Sequence, residues 1–286
     1  MVALDLIYLA AAPPEANQKI MARQATVAAG GPATNAAVAF SALGYRARLM
    51  GVVGTHPMTQ LIRADLDAQG VAIADLAPAQ TVPPPLASIV VTEATGERAV
   101  VSLNATRPQP ELELLSAHNL ALDQVDIVLI DGHQMAVGAE IAQQARSRSL
   151  PVVIDGGSWK PGFETVLPWV DYAICSANFY PPGCSDPQSV MAYLANFGIQ
   201  NIAITNGAAP IHYQSQGKTG WIDVPTINPK DTLAAGDIFH GAFCHFILQQ
   251  DFVAALAAST QVASYSCQFF GSRQWLLEIK QALNLF

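Results

Sequence analysis

Charge is what this sequence has least of. Only 13% of its 286 residues are charged, against about 25% in an ordinary soluble domain. The shortage is worst on the basic side: 14 Lys and Arg stand against 22 Asp and Glu, for a net charge of -8. Nucleic-acid binders normally present a basic face, so no nucleic-acid partner is expected. A small anion is not excluded, because backbone amides at a helix start can hold one. Cysteine is also scarce. Cys175, Cys184, Cys244 and Cys267 form no CxxC pair and have no His at ligand spacing beside them. That argues against a metal site or a disulfide framework and for free thiols. No apolar run approaches the ~20 residues of a membrane helix, so no membrane partner is expected. The opening Met1-Val2-Ala3-Leu4-Asp5 lacks a basic stretch, so no secretory leader is expected and the cytoplasm is the expected compartment. Internal repeats and low-complexity tails are absent.

What the chain does have is apolar material, 51% of the residues, enough for a large core. Short apolar runs at Arg48 to Val53, Asp126 to Ile130, Pro151 to Ile154, Tyr172 to Cys175 and Ile199 to Thr205 suit strands buried on both faces. Helix-length segments lie between them, at Thr34 to Leu43, Met58 to Gln69, Ala136 to Ser149 and Pro187 to Phe197. Such alternation predicts an α/β domain with a mostly parallel sheet between helices. Ligands on these sheets sit beyond the carboxyl ends of the strands. Leu86 to Thr92 and Arg98 to Leu103 read as a hairpin, either a small lobe of its own or an edge of the main sheet. A second hairpin pairs Ile211 to Tyr213 with Thr219 to Asp223. Helical patterns then run at Ala235 to Leu248, Phe252 to Phe269 and Arg273 to Leu283.

Three segments can carry chemistry. Asp231-Thr232-Leu233-Ala234-Ala235-Gly236-Asp237 places small residues directly before a long helix. The first amides of a helix lack intrahelical partners and carry partial positive charge. Small residues let an anion approach them. Asp237 is then either a helix cap or a general base beside the anion. The second segment, Gly30-Gly31-Pro32-Ala33-Thr34-Asn35, combines a flexible pair with a side chain that can both donate to and accept from hydroxyls. The third, Thr205-Asn206-Gly207, ends a strand. His133 reads as a turn residue or a substrate contact. Lys19, Arg98 and Arg107 read as surface charge or as partners of an anionic substituent. His240 and His245 read as packing or surface residues.

GGPATNAAVAFSALG at Gly30 to Gly44 and DTLAAGDIFHGAF at Asp231 to Phe243 resemble, in order and spacing, the two signatures of the ribokinase-like, or PfkB, family of sugar and nucleoside kinases. The likeness covers nearly the whole chain. It implies a ribokinase-like fold: one domain over residues 1–286 with a small β-sheet lid from about 4–27 and 86–103. It also implies MgATP-dependent phosphorylation of a hydroxyl on a sugar, a ketose or related carbohydrate. By that resemblance Asp237 is the base, and the amides of Ala234, Ala235, Gly236 and Asp237 form an anion hole. Asp5, Gly30, Gly31 and Asn35 would bind the sugar. Asn178, Thr205, Gly207 and Gly271 would serve ATP and Mg²⁺, with no direct metal ligand assigned. A homodimer through the lid is the implied assembly. Departures from the pattern are Ala234 for a usual Gly, Pro181 for a Glu after Asn178, and Pro210 for a Gly after Gly207. A nucleoside kinase, or a catalytically weak sensor of sugar or nucleotide, is the alternative.

Overall fold

The computed structural model describes residues 1–103 and 122–282. They form two compact units. The first is built from Met1–Pro108, Thr226–Ala242 and Gln261–Phe286, and the second from Gln109–Pro225 and Phe243–Thr260.

In the first unit, β1 (Ala3–Ala10) pairs antiparallel with β2 (Gln24–Gly30), from Ala3 opposite Gly30 to Leu9 opposite Gln24. The segment Leu4 to Val27, which reads in the sequence as one strand followed by wandering chain, is therefore most of a hairpin. Helix α1 (Pro32–Ala42) follows. Its start has a local cause: Pro32 sits at the first helical position, where a missing N–H costs nothing, and Gly31 before it adopts φ 101°. Strand β3 (Ala47–Gly51) and β4 (Val71–Asp75) flank α2 (Thr59–Ala68) and form a two-stranded parallel ladder of their own. The apolar run at Arg48 is thus not a rung of the main sheet, and β4 escaped the sequence reading because its alternation is weak. β5 (Leu86–Thr92) runs parallel to β1 and turns into β6 (Arg98–Ser102), completing a separate four-stranded sheet in the order β2-β1-β5-β6. The hairpin thus belongs to this separate four-stranded sheet and is not an edge of the six-stranded one. The core beneath holds Val2, Leu4, Ala29, Val38, Leu49, Val53, Ile62 and Leu66.

The second unit is a six-stranded sheet. β7 (Val128–Ile130), β8 (Val152–Gly156), β9 (Tyr172–Ser176) and β10 (Asn201–Asn206) are parallel. The antiparallel pair β11 (Ala209–Ser215) and β12 (Lys218–Ile222) closes one edge. Helices α3 (Met135–Ser147), α4 (Phe163–Val166) and α5 (Pro187–Ala195) make the crossovers. Val152, Val153, Ile154, Ala173, Ile174, Ile202 and Ala203 are wholly buried, as expected of parallel strands covered on both faces. The last helices among the described residues are α6 (Ala235–Ile247), α7 (Phe252–Ser266) and α8 (Leu276–Ala282). Arg107 lies outside the described residues.

Candidate active site

In the first unit, two segments 202 residues apart in sequence meet. Asn35, on the first turn of α1, donates from Nδ2 to Asp237 Oδ2 at 2.9 Å. The contact follows from small residues. A Cβ on Gly241 would overlap the carbonyl oxygen of Ala36 and press on Ala39. Only glycine lets α6 approach α1 that closely. Gly241 lies one turn after Asp237 and Ala36 directly follows Asn35, so the close crossing sets the two side chains face to face. In the sequence Gly241 is only a letter of the motif DTLAAGDIFHGAF, because this role depends on a helix distant in the chain.

The segment entering α6 is held at several points. Asp231 accepts from the amides of Leu233 and Gly271, both at 2.8 Å. Burial pushes its carboxyl pKa up, against those two hydrogen bonds and the charge of Arg98. Lys230 N and Asp231 N both donate to Cys267 O. Arg98 Nη1 donates to Thr232 O at 3.2 Å and to Thr232 Oγ1 at 3.1 Å, and Thr232 in turn donates to Gly96 O. Arg98 is therefore bound to this loop, whereas Lys19 is exposed. Ala234 adopts φ +61°, the left-handed region that favours glycine, which explains why the family pattern has Gly there. Past it, Gly236 is exposed, and the space beside its Cα is open to 4 Å. A helix N-terminus whose first turn carries small residues is suited to an anion. The buried His240 is turned back along its own helix, with Nδ1 2.7 Å from Gly236 O.

Asp5 is 6% exposed. A Cβ on Gly30 would collide with its carboxylate, so glycine there makes the slot that Asp5 occupies. Burial raises the Asp5 carboxyl pKa to about 6, and the charge of Arg273 opposes that rise. Gly31 has its own constraint, because a side chain there would strike Met1 O. Gly271, assigned to the nucleotide by resemblance, has its amide committed to Asp231 and its Cα close to Thr26.

Arg273, in the sequence only the first residue of a helical pattern, is a hub of this unit. Its guanidinium donates from Nη1 to Asn35 Oδ1 (3.0 Å) and Ser272 O (3.1 Å), and from Nη2 to Ala29 O (2.7 Å) and Asp65 Oδ2 (3.0 Å). Nε donates to Asp65 Oδ2 at 3.2 Å. No sequence signal near Arg273 announces this, since its partners other than Ser272 lie 208 to 244 residues away.

The second unit holds Asn178, Thr205 and Gly207 at the carboxyl ends of β9 and β10. Ala177 N donates to Thr205 O and Asn178 N to Ser176 Oγ, which ties the two strand ends together. Asn178 and Gly207 are exposed and Pro181 is buried. His133 N donates to Asp131 Oδ1 at 3.0 Å, a tight turn. Burial pushes its imidazole down to about 4, so the ring is neutral at pH 7. Lys160 donates to Ser158 O and Oγ at 3.2 Å each. Among the described residues no group of three or more His, Cys, Asp or Glu could hold a metal ion, and no helix is long and apolar enough to cross a membrane.

Comparison with known proteins agrees with the two motifs. The family model described as pfkB family carbohydrate kinase matches residues 1–278. The ribokinase of Bacillus subtilis (strain 168) is 25% identical over 276 residues, 94% of this chain and 92% of that protein. A provisionally assigned ribokinase from Agrobacterium tumefaciens superposes with a TM-score of 0.85 at 24% identity, covering 100% of this chain and 95% of the other. Arabidopsis thaliana ribokinase, solved with ribose and ATP, gives 0.72 at 19% identity, covering 97% and 96%. At these identities the structural likeness establishes the ribokinase-like fold, while the family model spans both signature segments and the strands between them. The chain belongs to the pfkB family of carbohydrate kinases.

Proposed function

We propose that the chain is an ATP-dependent kinase that phosphorylates a hydroxyl of a sugar, a ketose or related carbohydrate, with Asp237 as the general base. The observation that carries this reading is the 2.9 Å contact between Asn35 and Asp237. Asn35 Nδ2 donates to Asp237 Oδ2 and so orients the carboxylate that would take a hydroxyl proton. Asp5, buried and beside Gly30, accepts hydrogen bonds from other hydroxyls of the same acceptor. The start of α6, with its backbone amides at Ala234 to Asp237, fits the charge that develops on a transferring phosphoryl group. ATP supplies that group, and Asn178, Thr205 and Gly207 would hold the nucleotide. The described residues do not fit a dedicated Mg²⁺ cage, since Pro181 offers no ligand and no acidic cluster exists. Mg²⁺ would enter with the nucleotide phosphates, as it commonly does. The four-stranded sheet would serve as lid and as the contact for a second copy, and its exposed Val27, Val100 and Val101 are suited to both.

The test is ADP release over a panel of sugars and nucleosides, in the wild type and in Asp237→Asn. The wild type should turn over at least one sugar. Asp237→Asn should lose at least a thousandfold in kcat with nucleotide affinity unchanged within about threefold, since base and orientation effects together reach that size. Near-normal turnover in that variant removes Asp237 as base. Turnover of nucleosides alone would replace the sugar, and no turnover on any acceptor would favour a binding protein.

A further inference from the structure

Arg273 has an unusual inventory. A guanidinium carries five N–H donors in a fixed planar fork, and here all five are used: two on Asp65, one on Asn35 Oδ1, one on Ala29 O and one on Ser272 O. Its side chain is 14% exposed. A guanidinium so engaged has no donor left for a substrate. Its partners, however, are the supports of the candidate site. Ala29 directly precedes Gly30-Gly31, and its own N–H is held by Asp65 Oδ2 at 2.9 Å. Asn35 bears on Asp237. The charge of Arg273 also reaches Asp5.

The bond to Asn35 has a specific consequence. A side-chain amide is nearly symmetric in shape, and its two ends differ only in what they bond. An arginine cannot accept a hydrogen bond, so whichever end of Asn35 faces Arg273 must be the carbonyl. The NH₂ end is then forced toward Asp237, where it can only donate. Without Arg273 the carbonyl end of Asn35 loses its partner, and the side chain, held at its NH₂ end alone, can swing out of line with the carboxylate. We propose that Arg273 is the positioning residue that fixes the Asn35 amide and, through it, the carboxylate of Asp237. The inference rests on the proposed kinase reading for its kinetic arm alone. The geometric claim stands apart from turnover.

Two variants and two readouts test it. Arg273→Met has nearly the length of the stem without donors, and Arg273→Lys keeps the charge but not the fork, so one of them can be studied if the other folds poorly. In both, kcat for the sugar acceptor should fall ten- to a hundredfold, the usual cost of a misplaced catalytic group, with KM for ATP unchanged. In the Asn35→Ala background the same Arg273 substitution should cost less than about threefold, because the group it acts through is gone. A merely structural brace would cost the same in both backgrounds, and that additivity would overturn the proposal. The second readout needs no catalysis. The two side-chain NH₂ proton resonances of Asn35 should be widely separated in the wild type, where one proton is bonded to a carboxylate, and should converge in Arg273→Met or Arg273→Lys. An unchanged pair of resonances would overturn the proposal even if the wild type phosphorylates nothing. Convergence in a protein with no kinase activity would uphold it while removing the kinase reading.

Discussion

Replacing Asp5 by Asn should make the protein more stable and less active. The carboxylate is 6% exposed, and among the described residues the one favourable influence on its charge is Arg273. Burial wins, carrying the pKa from its ordinary 3.8 to about 6. A rise of about two units, at about 1.4 kcal/mol each, amounts to about 3 kcal/mol. The sign follows from proton binding. Between pH 3.8 and about 6 the folded state holds this proton and the unfolded state has lost it, so stability falls as pH rises. Above pH 6 the whole cost is present, and below 3.8 none of it is. An amide never ionises and never bears that cost. Urea denaturation should therefore place Asp5→Asn about 3 kcal/mol above the wild type at pH 8, narrowing to about 1 kcal/mol at pH 4.5. At the same time the amide presents donors where hydroxyls need an acceptor, so KM for the acceptor should rise at least tenfold. A stability difference independent of pH, or a less stable variant at pH 8, would refute the desolvation argument. A more stable variant with unchanged acceptor KM would refute the role assigned to the carboxylate.

Two further substitutions test the loop and the helix crossing. Ala234→Gly relieves a left-handed alanine, worth about 1–2 kcal/mol, and adds about 0.5–1 kcal/mol of chain entropy to the unfolded state. It should gain up to about 1 kcal/mol in a urea melt with kcat unchanged within twofold, and a loss of stability would deny the φ of +61°. Gly241→Ala puts a methyl group into the Ala36 carbonyl, an overpacking that costs about 1–3 kcal/mol. Because the forced shift separates Asn35 from Asp237, kcat should fall about a hundredfold, and a crystal structure should show their 2.9 Å contact broken.

How much of this is legible in the sequence depends on the range of the cause. Strands β8 and β9 are continuous apolar runs ended by Gly or Ser, and local pattern finds them. Helix α1 begins at Gly31-Pro32 and ends before Gly44, also local signals. The candidate site was legible as a proposal where its residues lie inside compact motifs: Gly30, Gly31 and Asn35 in one, Ala234 to Asp237 in the other. Strand β4 was missed because Val71–Asp75 has Ala at two of its five positions and ends on Asp75, leaving no clear period. Arg273 was missed for a different reason. Nothing near it in sequence explains its burial, and its partners come from β2, α1 and α2. Gly241 falls between these cases. It was visible as a motif letter, but its function, the approach of α6 to Ala36, exists only once two distant helices are packed.

The charge balance met at the outset acquires a sharper meaning from this arrangement. With so few charges, the buried and half-buried ones in the first unit are not incidental. Asp5, Asp65, Asp237 and Arg273 gather around one asparagine and one glycine pair, three acids against a single base. Arg273 spends both of its charge-assisted bonds on Asp65, which leaves Asp5 to be stabilised only at a distance. A folded chain under selection for stability alone would neutralise that position, as an amide or an apolar residue does at lower cost. The strain at Asp5, the forced orientation of Asn35 and the left-handed Ala234 all fall within the two motif segments or their supports. Stability is given up where a hydroxyl-bearing acceptor and an anion would have to be held, and the remainder of the fold, with its fully buried parallel strands, is where it is recovered.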